Sequence, residues 1–361
     1  MTQARVLVVD DSALMRRVLS RMLEDAGFEV HSASDGRKAL RAVRDLEPDV
    51  VTLDIHMPVM DGLDCLAELM EQAPRPVIMV SSLTEQGALA TLEALALGAL
   101  DYVAKPDGTI SMNMDRVQDE LVRKVKMAAR QSLRRRPQPT PRRAAAPRPA
   151  PVAARQPPLV RSTDKTGVVL IGASTGGPSA LEELLSGLPG DLPWPVLIAQ
   201  HMPASFTPTF ASRLDAAGAL TVTELSRATE LRPGQAYLGR GGHDIVVSRR
   251  GTRIIANVVA EDPAFTWHPS VERMVLTARE QLPAERLMGV MLTGMGNDGA
   301  AAMAGLHAEG GVTIAQDEHT SVVFGMPRAL IDAGGAALVR PLERIAEHIA
   351  TTTAQGSAPC R

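Results

Sequence analysis

Aromatic side chains are scarce in this sequence: Phe, Tyr and Trp make up 2% of its 361 residues. A core must therefore be built from Ala, Val, Leu, Ile and Met, and the 45% hydrophobic content is enough for a sizeable one. Cysteine is scarce too. Cys65 and Cys360 lie far apart, which speaks against a disulfide framework or a zinc site and for a reducing cytosol. No run approaches the roughly 18 apolar residues of a membrane span. The opening "MTQARVLVVDD" is too short in its apolar part for a secretory leader and meets two acids at once. These absences point to a cytoplasmic protein with no membrane insertion. There is no internal repeat, and His31, His243, His268, His307, His319 and His348 show no metal-ligand spacing, which argues against a metalloenzyme.

Charge divides the chain. The net value is −3, yet residues 130–166 hold ten Arg or Lys and one acid, Asp164, so that segment is +9 and the remainder −12. The same segment, "RRRPQPTPRRAAAPRPAPVAARQPP", is rich in Pro and Ala and has almost nothing to bury, as expected of an extended or disordered linker. At about 150 residues per domain, the chain reads as a domain over 1–129, a linker over 130–166, a second domain over 167–352 and a polar tail over 353–361.

In the first domain, β-prone apolar runs ("RVLVVDD", "DVVTLDI", "RPVIMVSS", "LDYVAKP") alternate with helical patterns such as "SALMRRVLSRMLEDAG". Alternation of this kind predicts a parallel sheet covered by helices, with chemistry at the carboxyl ends of its strands. Those ends carry Asp10, Asp11, Asp54, Ser81 and Lys105. Three clustered carboxylates repel one another and call for a cation, and Mg²⁺ suits because it is hard and prefers carboxylates and water. A phosphoryl group on Asp54 would meet that ion, the Lys105 ammonium and the Ser81 hydroxyl.

In the second domain, "GVVLIGAS" runs into "TGGPSALEELLSG", a strand–turn–helix with Pro178 in the first helical turn and Ser174 at the handover. "GASTG" fits the G-x-S-x-G elbow, whose small residues allow a sharp turn that exposes the hydroxyl. "PVLIAQH" delivers His201 and "GVMLTGMGND" delivers Asp298 at two further strand ends. Ser, His and Asp converging on one sheet edge are the roles that serine acyl transfer requires. Backbone N–H groups at Thr175 and around Met295 are the oxyanion candidates. Each piece also has a bland alternative. "GASTGG" resembles an anion-binding turn, a histidine after a strand is often structural, and an Asp in "GNDG" is often a turn former. The alternative to an enzyme is thus a switchable binding module that grips an anion.

Two resemblances follow from these residues. "VLVVDDSALMRR", "TLDIHMPVMDG", "MVSSLT" and "YVAKP" resemble the response-regulator receiver family. That implies a doubly wound, flavodoxin-like domain, phosphotransfer from a histidine kinase to Asp54, and Mg²⁺ bound by Asp11, Asp54 and the His56 carbonyl with help from Asp10. It also implies an aromatic switch at Tyr102, working with Ser81 and Lys105. "IGASTGGP", "QHMPASFTPTFASRLD", "MLTGMGNDGA" and "QDEHTSVVFGMP" resemble the catalytic domain of chemotaxis protein-glutamate methylesterases. This second resemblance implies a parallel-sheet α/β esterase domain that hydrolyses glutamate methyl esters, and deamidates glutamines, on chemoreceptors without a cofactor. It places catalysis on Ser174, His201 and Asp298, with Met295 at the oxyanion position. Two stretches depart from that family's pattern: "LGRGGHDIVV" (238–247), where the family has APG followed by His-Met, and His268, where it has Arg before "PSV". Both are expected near the substrate cleft. No helix-turn-helix signature is present and the only basic patch is the linker, so no nucleic-acid partner is expected. Joining a switch to a hydrolase predicts that the unphosphorylated receiver covers the esterase cleft.

Overall fold

The computed structural model describes residues 3–82, 84–105, 112–134 and 167–355. The first domain is β1 (Arg5–Val9), α1 (Ala13–Asp25), β2 (Glu29–Ala33), α2 (Gly36–Leu46), β3 (Val50–Asp54), α3 (Gly62–Gln72), β4 (Val77–Ser81), α4 (Glu85–Leu97), β5 (Asp101–Ala104) and α5 (Met112–Arg134). Its five strands pair in parallel in the order β2-β1-β3-β4-β5. This is the doubly wound order, with its crevice where the connections change direction beside β1 and β3. Side chains start the helices: Ser12, Asp35, Asp61 and Thr84 each accept a hydrogen bond from the N–H three residues on. Every residue of β3 and β4 is buried, because helices cover both faces.

The second domain is β6 (Val168–Ala173), α6 (Gly177–Ser186), β7 (Val196–Gln200), α7 (Thr207–Ala217), β8 (Thr221–Leu225), β9 (Thr229–Glu230), β10 (Gln235–Gly239), β11 (Asp244–Arg250), β12 (Arg253–Val259), α8 (Val271–Gln281), β13 (Leu287–Met291), α9 (Ala300–Ala308), β14 (Val312–Gln316), α10 (Met326–Asp332), β15 (Leu338–Arg340) and α11 (Leu342–Gln355). Seven strands form a parallel sheet ordered β15-β14-β13-β6-β7-β10-β8. The strands that end near Ser174, His201 and Asp298 are therefore its central neighbours, β6, β7 and β13. An antiparallel sheet, β11-β12-β9, packs against α8. Nothing in the alternating βα reading above anticipated it. Gly172 in β6 lets α8 come close, since a Cβ there would stand 2.6 Å from Val271 Cγ1.

The boundaries move by a few residues. α5 runs to Arg134, five residues past 129, because no proline interrupts it before Pro137. α11 runs to Gln355, past 352, on a helix whose Ile345 and Ile349 are fully buried. The Pro/Ala/Arg-rich segment from 135 to 166 and the tail from 356 to 361 lie outside the described residues.

Candidate active site

The parallel register brings the expected residues together. Ala173 of β6 stands opposite Gln200 of β7, so Ser174 and His201 leave the sheet side by side. Backbone bonds tie the exits: the His201 N–H donates to Ala173 O at 3.1 Å and the Ser174 N–H to Thr293 O at 3.0 Å. The Gln200 amide donates to the carbonyls of Ser174 and His201 at 3.0 and 3.1 Å. Gly176, at φ +76°, turns the chain into α6. No hydrogen bond among the described residues uses the N–H of Thr175 or of Met295. Thr175 lies in the turn after Ser174 and Met295 in the loop after β13.

Asp298 is held by more than its strand. Its Oδ2 bonds His201 Nε2 at 2.8 Å and accepts the Val271 N–H at 2.7 Å; its Oδ1 accepts the Glu272 N–H at 3.0 Å and the Ser270 hydroxyl at 3.1 Å. The carboxylate is nearly buried and caps the N-terminus of α8, where unpaired N–H groups and the helix dipole favour negative charge. With Nε2 engaged, His201 has Nδ1 left for a proton from Ser174. Trp267 lies parallel to the His201 ring, 2° apart in plane and 5.6 Å between centroids. Sequence reasoning did not find Ser270, Trp267 or Gln200; "WHPS" ahead of an apolar helix signals only an N-cap.

The two departing stretches meet each other. Asp244, fully buried, bonds His268 Nδ1 at 3.0 Å, and His268's side chain is 14% exposed. Burial alone would push the Asp244 carboxyl up. Hydrogen bonds from His268, Arg273 and the N–H groups of Ser270 and Asp262 outweigh it and hold the group below the ordinary carboxylate value.

In the first domain, Lys105 Nζ lies 2.8 Å from Asp54 Oδ2 and 3.0 Å from Asp10 Oδ2. Burial raises the Asp54 carboxyl above its ordinary range against the pull of Lys105, and Asp10 adds to the rise. Burial would lower Lys105, but its bonds to Asp54 and Asp10 raise it instead. Apart from the Lys105 ammonium, those two buried carboxylate oxygens meet no donor among the described residues, and oxygens of Asp10, Asp11 and Asp54 lie within 4.8 Å of one another. Three hard carboxylates sharing a single ammonium are a donor set that fits Mg²⁺. His56 follows directly and donates its N–H to Asp54 Oδ1 at 3.4 Å. The Ser81 hydroxyl accepts from Thr91 Oγ1 of α4 at 2.8 Å.

Tyr102 is buried in the contact between the domains. Its ring stacks on Phe206 at 5.0 Å, and Lys124 Nζ lies 4.9 Å from its centroid. Burial lifts the phenol well above its usual value. Asp101 reaches across and accepts the Thr175 hydroxyl at 2.5 Å, while its other oxygen takes Lys124 Nζ at 3.1 Å. Burial alone would pull the Lys124 ammonium down; Asp101 and Glu120 hold it above the ordinary lysine value. The space left between Ser174, His201, Asp101 and Tyr102 is about 20 Å³, room for one water. A larger cavity of about 550 Å³ between α5 and residues 323–328 touches Met295 but neither Ser174 nor His201.

Residues 169–349 match the family described as CheB methylesterase, and residues 6–113 match the response regulator receiver domain. The chain belongs to the CheB methylesterase family. Protein-glutamate methylesterase/protein-glutamine glutaminase 3 of Rhodospirillum rubrum is 53% identical over 352 residues, 96% of this chain and 95% of that protein. Protein-glutamate methylesterase/protein-glutamine glutaminase 2 of Rhodopseudomonas palustris is 50% identical over 358 residues, 96% and 97% of the two chains. The crystal structure of the Thermotoga maritima CheB methylesterase catalytic domain aligns with a TM-score of 0.50 at 34% identity, covering 51% of this chain and 97% of that one. A receiver followed by a parallel-sheet methylesterase-family domain is thus the architecture of this chain. Among its described residues no helix is long and apolar enough to cross a membrane.

The bonds to Asp298 generate a direct expectation. Asp298→Asn keeps the shape but sets an amide among four donors, so His201 loses its orientation. Ester hydrolysis should fall by about 10³–10⁴-fold, and the thermal midpoint should drop as well, because the amide NH₂ meets N–H donors at the start of α8. Hydrolysis within tenfold of wild type would remove Asp298 from the reaction.

Proposed function

We propose that this methylesterase-family chain hydrolyses glutamate methyl esters, and deamidates glutamines, on chemoreceptors, through Ser174, His201 and Asp298 and under control of phosphorylation at Asp54. The observation that carries the chemistry is the His201 Nε2–Asp298 bond of 2.8 Å at the strand end beside Ser174. In this reading the Ser174 Oγ attacks the ester carbonyl as His201 takes its proton on Nδ1. The tetrahedral oxyanion is met by the N–H groups of Thr175 and Met295, a kind of donor whose loss costs about 10²–10³-fold in rate. His201 returns the proton to the departing methoxide and methanol leaves. Water, deprotonated by His201, then opens the acyl-enzyme and releases the glutamate carboxylate, and His201 returns that proton to Ser174 Oγ. With a glutamine, ammonia leaves in place of methanol.

Regulation rests on the receiver half. A histidine kinase supplies the phosphoryl group to Asp54; Asp10, Asp11, Asp54 and the His56 carbonyl would hold the Mg²⁺. That ion, when bound, supplies positive charge to the phosphoryl oxygens. Lys105 neutralises a further oxygen, and Ser81 leaves Thr91 to bond another. That movement pulls on α4 and on Tyr102, which the closed arrangement holds against Phe206. The 20 Å³ left at Ser174 supports reading this arrangement as the closed one, since no methyl ester side chain fits there. Soluble placement in the cytoplasm fits this account, because the receiver's phosphodonor and the receptor's methylated helices lie on that side. The anion-site alternative loses ground to the Asp298 carboxylate, which would repel an anion held beside His201.

Methanol release from methylated receptor membranes tests the chemistry. Wild-type protein should release it and Ser174→Ala should not; persistence in Ser174→Ala returns the turn to anion binding. A truncation carrying residues 160–361 should outpace the unphosphorylated full chain, and equal rates would end the occlusion account.

A further inference from the structure

We propose that Asp244 is a positioning residue for the catalytic pair: its buried carboxylate fixes the 260–270 strap and, through Ser270, the helix start on which Asp298 is seated. The inference rests on reading Ser174, His201 and Asp298 as catalytic and concerns a residue outside that set.

Asp244 opens β11 opposite Val259, the last residue of β12, so it stands where the chain leaves the antiparallel sheet for the strap. It is fully buried, and each of its oxygens meets two groups. Oδ1 takes the Ser270 N–H and His268 Nδ1, both at 3.0 Å. Oδ2 takes the Asp262 N–H at 3.2 Å and Arg273 Nη1 at 2.8 Å. One carboxylate thereby ties the beginning of the strap, its end and the first turn of α8. A buried carboxylate is tolerated only when fully partnered, and this one is.

From there to the reacting groups the path is one residue long. Ser270 donates its N–H to Asp244 and its hydroxyl to Asp298, and the next two N–H groups also bond Asp298. Trp267, in the same strap, lies flat on His201. The strap therefore sets both partners, the acid through the first turn of α8 and the imidazole through the indole. An amide in place of Asp244 would turn its NH₂ against a donor, the Arg273 guanidinium or the Ser270 N–H, and free the strap to shift. Misplacement by about 1 Å far from the chemistry costs up to about 10²-fold.

Full-length Asp244→Asn, phosphorylated with Mg²⁺ and a small acyl phosphate, is assayed on methylated receptor membranes. Its kcat should fall about 10–100-fold while KM stays within about twofold, because Asp244 is fully buried and reaches the reacting groups only through the strap. The second readout is the His201 Nε2–H proton, a downfield imidazole resonance in NMR that Asp298 shields from exchange; in Asp244→Asn it should broaden or move upfield. A kcat within twofold of wild type, a loss confined to KM, or a lowered kcat with an unmoved resonance each overturns the proposal. If Asp244→Asn fails to fold, His268→Ala removes one partner of the four and carries the same readouts, with a kcat loss of about 3–10-fold. Ser174→Ala separates the two failures. Hydrolysis that survives it overturns the catalytic reading itself, whereas the His201 resonance is read without turnover.

Discussion

The carboxylate of Asp298, seated on the N-terminus of α8 and bonded to His201 Nε2, is the interaction on which the rest of the second domain depends. A charged side chain at 5% exposure is costly unless every lone pair finds a donor. The fold supplies four: one imidazole, one hydroxyl and two backbone N–H groups. That requirement explains the placement of α8 against β6 and the side-chain-free Gly172 beneath Val271. It also explains why Ser270, rather than an apolar residue, precedes the helix. The seat of His201 and the cap of α8 are one structure here, so a fault in either is a fault in both.

The contact between the domains obeys the same electrostatic logic. Asp101 is a buried carboxylate in the contact, tolerated there because Lys124 bonds one oxygen and the Thr175 hydroxyl the other. The receiver thus touches the catalytic loop with a polar bond next to Ser174 and an aromatic stack at Phe206. Both contacts come from β5, the strand that also leads to Lys105 and so to the phosphorylation pocket. Like β5, α4 packs on the second domain, against α6 and α7.

Much of this was legible in the sequence, because strand ends advertise themselves. Buried runs of Val, Ile and Leu that end at or just before Asp10, Asp54, Ser174 and His201, with Asp298 in the loop after β13, point to chemistry when they recur together, and the parallel sheets gather them as the alternation implied. What stayed hidden has a common cause. Asp244, His268 and Ser270 are drawn together across 26 residues by a hairpin and a strap, with no periodicity to mark them. Asp101 reads as an ordinary strand residue until a second domain is packed against it. The antiparallel β11-β12-β9 sheet sits inside a βα pattern that gives no warning of it. The ends of α5 and α11 moved because a helix continues until proline or packing stops it, and neither lies at the boundary that composition marks.

Ser174 is proposed to be a nucleophile whose access the receiver controls. The most direct measurement is the rate at which a fluorophosphonate labels the full-length protein, with and without Mg²⁺ and a small acyl phosphate, the adduct being located by mass spectrometry. One adduct is expected, on Ser174, forming slowly in the unphosphorylated protein and faster once Asp54 is phosphorylated. An adduct on another residue, or equal rates in the two states, would contradict that proposal.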